Sequence, residues 1–293
     1  MRVVAIAVAL MPVLIGVADA REDMLAELLA PWPDTHASPH GTPHTHAFNV
    51  EPAYLHRGLR VDYLIDTNVG GDIDEQELGF ELEWALTKRL GLCIEAPLIG
   101  LNPVAEQNVT GFGDMAVAGR VLLVDRHCFL LSANVELETP TGDAERGLGR
   151  GEAAFSPTVL CWMDLGHWTV FQGQLGPETG LDSGETELLY RFALTRTWQG
   201  PVKFPCRCRS RSEHGHHDHN DHGHHGPGLT TLYLETVGDT NLSDRQEGTR
   251  LDMTTGIGYY LTEKLELRTG LRFPLCHPKR FDSQFIFSAV RCF

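Results

Sequence analysis

Basic side chains are scarce in this chain. Lys and Arg number 24 against 39 Asp and Glu, a formal net charge of −15. Nucleic acid is excluded as a partner, because phosphate binding needs a basic surface. Long apolar runs are missing after residue 20, so no helix crosses a membrane. Cysteine is sparse and odd in number: Cys93, Cys128, Cys161, Cys206, Cys208, Cys276 and Cys292. Most stand alone in strand-like segments, which excludes a dense disulfide framework. No Gly-x-Ser-x-Gly elbow occurs, and no enzyme is expected.

The N-terminus carries an export signal. Arg2 is followed by an uncharged apolar run from Val3 to Gly16, and Ala18-Asp19-Ala20 has the small-x-small cleavage pattern. Residues 1–20 are expected to be removed. Residues 21–56 read as a flexible, His-containing arm rich in Pro, His, Thr and Ser.

From about residue 57 the hydrophobicity alternates with period two. In Glu77–Thr87, Leu78, Phe80, Leu82, Trp84 and Leu86 share one face, with Glu81 and Glu83 on the other. A helix would scatter this pattern, whereas a strand sorts it. Strands are expected near 57–67, 76–88, 90–99, 112–124, 128–139, 152–163, 166–176, 185–198, 229–238, 248–262, 264–274 and 281–293. Short turns alternate with longer polar loops. The expected fold is therefore all-β: an antiparallel transmembrane β-barrel of about twelve strands over 57–293, with both termini periplasmic. Trp84, Trp162, Trp168 and Trp198 fall at periplasmic strand ends, where amphipathic rings favour the interface. Phe285, Phe287, Ala289 and the terminal Phe293 share a face that Arg291 interrupts. Such a C-terminal aromatic strand marks a barrel for outer-membrane assembly machinery. A soluble, secreted lipocalin-like barrel shows the same alternation with the faces reversed, and remains the rival.

Gly111-Phe-Gly-Asp114, Glu138-Thr-Pro-Thr-Gly-Asp143 and Gly147-Leu-Gly-Arg-Gly-Glu152 resemble motifs of a family of outer-membrane transporter-like barrels, the phenol-degradation-pathway outer-membrane proteins. The resemblance spans about Glu51 to Phe293. It implies passage of small molecules through the bacterial outer membrane, with membrane lipid and a small solute as partners. The motif glycines and acids read as turn and cap residues.

An insertion at 199–228 stands outside that pattern. His214, His216, His217, His219, His222, His224 and His225 lie with Asp218 in one short tract, just after Cys206 and Cys208. Imidazoles and thiolates suit zinc, nickel or copper, without the fixed spacing of a structural site. His36, His40, His44, His46 and His56 form a second cluster in the arm. Strand parity puts both clusters in the periplasm, where they are expected to hold a divalent metal ion. The lumen face is expected to carry Asp62, Glu81, Glu83, Glu95, Glu136, Glu138 and Glu266 against Arg120, Arg191 and Arg268. Three functions fit: a channel or transporter for small solutes linked to metal handling, a metal-binding protein that uses the barrel as an anchor, and a soluble binder.

Overall fold

The computed structural model of the chain describes residues 28–34, 37–39, 41–69, 73–103, 108–199, 227–244 and 248–293. The strands are β1 (Arg57–Thr67), β2 (Ile73–Ala85), β3 (Leu90–Pro103), β4 (Val109–Phe112), β5 (Met115–Arg126), β6 (Phe129–Thr139) and β7 (Ala154–Gly166). They continue with β8 (Thr169–Gly180), β9 (Thr186–Gln199), β10 (Leu229–Asn241), β11 (Thr249–Thr262), β12 (Leu265–Pro274) and β13 (Ser283–Cys292). All pairings are antiparallel. β1 joins both β2 and β13, and β2 joins β3, so the sheet closes on itself. Closure removes the open edges that lipid would leave unsatisfied.

Twelve strands form the barrel, as the alternation predicts. One expected strand is broken. β4 pairs with the upper part of β3 from Leu98 to Leu101, and β5 takes over from Leu90 to Glu95. The break falls at Gly113-Asp114. The Asp114 carboxylate accepts the Gly142 N–H at 2.8 Å and the Arg150 N–H at 2.6 Å. Those bonds draw the chain out of the ladder and into the loop between β6 and β7. Gly147 and Gly151 in that loop adopt φ of +77° and +81°, so its glycines and its acid serve turn geometry.

The faces are those of a membrane barrel. Phe80, Val117, Val135, Leu175, Leu232 and Phe287 are exposed on the outside, while Ser132, Thr158, Gln172, Thr195, Thr231 and Thr254 are buried within. A soluble barrel has the opposite arrangement. At the barrel end where β1 begins, Arg57 stacks on Trp32 and Trp84, 4.9 Å from each ring centroid. Trp84 lies 6.3 Å from Phe293 across the β1–β13 seam. Trp198 is also outward and half exposed. Trp162 departs from expectation. It faces inward and is fully buried, because the lumen at that level is filled with apolar side chains.

The filling comes from the expected flexible arm. Residues 41–56 are not an external tail: most of them are buried inside the barrel. Ala53, Tyr54 and Leu55 pack against Ala85, Leu122, Leu130, Leu160, Trp162 and Val170. Each large side chain in such a cluster contributes about 1.5–3 kcal/mol. That burial outweighs the freedom an arm would keep in solvent, and it makes the segment a plug.

Candidate functional site: a plugged, charged lumen

The plug has no helix or strand through 44–56, so its backbone polar groups need partners from the wall. The inward positions of the strands supply them. Glu235 on β10 accepts the Phe48 N–H at 2.7 Å, the Asn49 N–H at 2.9 Å and the Asn49 Nδ2–H at 2.9 Å. Arg60 on β1 donates to the Phe48 carbonyl at 2.7 Å, and Arg191 on β9 to the Asn49 carbonyl at 3.2 Å. Arg268 on β12 donates to the carbonyls of His46 and Ala47. Gln172 donates to the Thr45 carbonyl at 2.8 Å and Ser132 to the Ala53 carbonyl at 2.5 Å.

Phe48 is the plug's apolar anchor. Its ring packs edge-on to Tyr233 at 5.1 Å and under the Arg268 guanidinium at 5.0 Å. Gly256 on β11 and Gly270 on β12 open the slot for it. A Cβ on Gly256 would lie 2.5 Å from the ring, and one on Gly270 would lie 3.2 Å away.

Above the plug lies a cavity of about 450 Å³, floored by Phe48, Asn49 and Glu51. Eleven carboxylates line it against five arginines. The two signs are unevenly spread. On the β9–β12 side each of three arginines has an acid: Arg272 meets Asp252 at 2.6 Å, while Arg250 and Arg280 share Glu187 and Asp239. On the β2–β6 side Glu77, Glu95, Glu136 and Glu138 have no ion pair among the described residues, so acids outnumber bases on this wall.

A closed barrel with an apolar belt and a polar, charged interior fits the bacterial outer membrane and little else. The chain is an outer-membrane β-barrel. Solved structures agree in fold. The barrel is similar to the COG4313 outer membrane channel from Pseudomonas putida F1, at 15% identity and a TM-score of 0.53, over 85% of this chain and 100% of that one. It is also similar to the NanC porin, at 10% identity and a TM-score of 0.51, over 80% and 98% of the two chains. No family model and no curated sequence matches the chain.

Within the barrel, the lumen-facing candidates divide into three groups. Glu81, Glu83 and Arg120 converge at the foot of the β2–β6 wall, where Glu95 joins them. There Arg120 reaches Glu51 of the plug at 2.8 Å and Glu83 at 3.4 Å, and His56 meets Glu83 at 2.6 Å. Glu136 and Glu138 stand higher on β6, and Arg191 faces them from β9. Glu266 and Arg268 lie on β12 together with Asp62 on β1. Glu266 accepts the Tyr233 hydroxyl at 2.5 Å, and Arg268 is 3.9 Å from Asp62.

The metal-ligand candidates divide differently. His44 and His46 lie inside the lumen. His44 stacks on Tyr54 at 4.5 Å, and His46 meets His56 at 4.3 Å. His36, His40, Cys206, Cys208, His214, His216, His217, Asp218, His219, His222, His224 and His225 lie outside the described residues. Sequence reasoning missed Phe48, Asn49 and Glu51, which have no periodicity. Their one signal is a short apolar-flanked stretch after a Pro- and His-rich tract.

Proposed function

We propose that the barrel is a gated passage for small solutes with a preference for cations, and that the 41–56 plug is the gate. The observation that carries this reading is the plug itself. It seals a polar lumen through hydrogen bonds and ion pairs that water can replace one by one. The carboxylate excess above it focuses a negative potential between low-dielectric walls, which concentrates cations and repels anions. The reading assigns passage and not catalysis, with outer-membrane lipid around the barrel and assembly machinery reading its last strand.

Planar-bilayer recordings under unequal KCl test it. The wild type is expected to open briefly, with a reversal potential of cation sign. Glu235→Gln, which weakens the hold on Phe48 and Asn49, is expected to lengthen the open time. Anion selectivity, or a lack of conductance in both proteins, would overturn the proposal.

A second reading is divalent-metal handling at the periplasmic mouth. It is favoured by His44, His46 and His56 lying at the barrel end where β9 and β10 flank the His-rich insertion. Zinc titration of the refolded barrel with and without residues 206–225 tests it, and equal uptake would remove the insertion from the reading.

A further inference from the structure

Four carboxylates crowd the junction of plug and wall: Glu51 from the plug, Glu81 and Glu83 from β2, and Glu95 from β3. They share two arginines and His56, whose Nδ1 lies 2.6 Å from Glu83. Arg120 serves Glu51 and Glu83, while Arg60 serves Glu81 at 3.0 Å and also Asp62 at 2.5 Å. Glu95 has no arginine in ion-pair range among the described residues, and its recorded partner is the Cys93 thiol at 3.8 Å. Buried charge in excess of its counter-charge is costly unless a proton or a metal ion balances it.

The donor geometry favours a metal ion. One oxygen from Glu81, one from Glu83 and the Sγ of Cys93 all lie within 4.8 Å of one another. Glu83 and Cys93 are each only 4% exposed. Register explains the convergence, since Glu83 pairs with Cys93 and Glu81 with Glu95 across β2 and β3. Beside them is a cavity of about 10 Å³ lined by His56, Glu83, Cys93 and Arg120, close to the room that one water or one bare ion occupies.

We propose that Glu81, Glu83 and Cys93 form a binding site for one divalent ion of the zinc class. The thiol distinguishes this site from a calcium or magnesium site, which takes oxygen ligands alone. On binding, Cys93 gives up its proton to solvent and ligates as the thiolate. A second trio of donors, Glu51, Glu81 and Glu95, shares Glu81 and likewise lies within 4.8 Å. An ion at Glu81 therefore draws Glu51, and with it the plug, onto the wall. That consequence rests on the gating reading, whereas binding itself does not.

The test removes the rival ligands first. The full chain is refolded with the six cysteines other than Cys93 and the seven histidines of 214–225 replaced by serine, and heat-modifiable migration confirms closure. Cadmium serves as the probe, because its thiolate complex has a charge-transfer band in the ultraviolet. One equivalent is expected to bind with that band and to be displaced by zinc but not by calcium. Cys93→Ser is expected to abolish the band, and Glu81→Gln to weaken binding by about tenfold or more. A missing band in the folded parent, an unchanged band in Cys93→Ser, or displacement by calcium as effective as by zinc would each overturn the site. Any of these failures leaves the conductance result standing.

Discussion

Gly256 shows how a single residue can hold the lumen shut. On β11 it looks like a weak spot, since glycine packs nothing against its neighbours. Its missing Cβ is where the Phe48 ring sits. Phe48→Ala, which empties the slot, is expected to loosen the plug while leaving the barrel closed, and to raise the conductance of planar bilayers. A wild-type trace would show that the plug does not depend on this slot. Glu152 acts at the other end of the molecule. Its carboxylate accepts the N–H groups of Asp182 and Ser183 and the Ser183 hydroxyl, which tie the β6–β7 loop to the β8–β9 loop. The Ser183 N–H, and then its hydroxyl, hold the Glu152 pKa below the ordinary 4.5. A lowered folded-state pKa means that the tie is complete above 4.5 and is lost as pH falls through the lowered value. The Ser183 amide resonance is expected to titrate with a midpoint under 4.5. A midpoint at or above that value would mean that the bonds do not persist in solution.

At the scale of elements, the hairpin between β7 and β8 has a cost written into it. His167 and Trp168 have φ of +53° and +58°, the arrangement of a two-residue turn usually made by Asn-Gly. A non-glycine residue there costs about 1–2 kcal/mol, and asparagine less. His167→Asn is expected to stabilise the barrel by up to about 1 kcal/mol, read as a higher urea midpoint for reversible refolding into vesicles. A lower midpoint would show that the imidazole makes a contact worth more than the strain. The strands themselves were legible because period two survives wherever one face meets lipid and the other meets polar groups. β10 shows this, with Leu232 and Leu234 exposed and Thr231 and Glu235 buried. The split of β4 from β5 was not legible. It depends on Asp114 reaching backbone groups some thirty residues further on, and alternation records no such partner.

At the scale of the whole molecule, the barrel has a charged lumen that its own N-terminal segment fills at the end where β1 begins. The membrane belt follows from the alternation within the strands, and the parity of the loops from their even count. The closure follows from a match between two regions far apart in the chain, as in the bonds of Phe48 and Asn49 to Glu235. Each of the expected lumen residues lies on the charged face of an alternating strand. Their grouping was not foreseeable, since it depends on which strand stands opposite which once the sheet has closed. Trp162 makes the same point. Sequence position put it at the membrane interface, but parity within β7 turned it inward onto Tyr54 and Leu55.

By itself, the sequence determined the β class, the twelve strands and the membrane-facing terminal strand. These follow from local periodicity and from the length a strand needs to cross lipid. Only the tertiary structure decided that residues 41–56 plug the lumen, that Glu51, Glu81, Glu83, Glu95 and Cys93 converge, and that Gly256 leaves room for Phe48. The physical reason is that an aperiodic segment gains its stability from partners it meets after closure, and nothing in its own residue order names them.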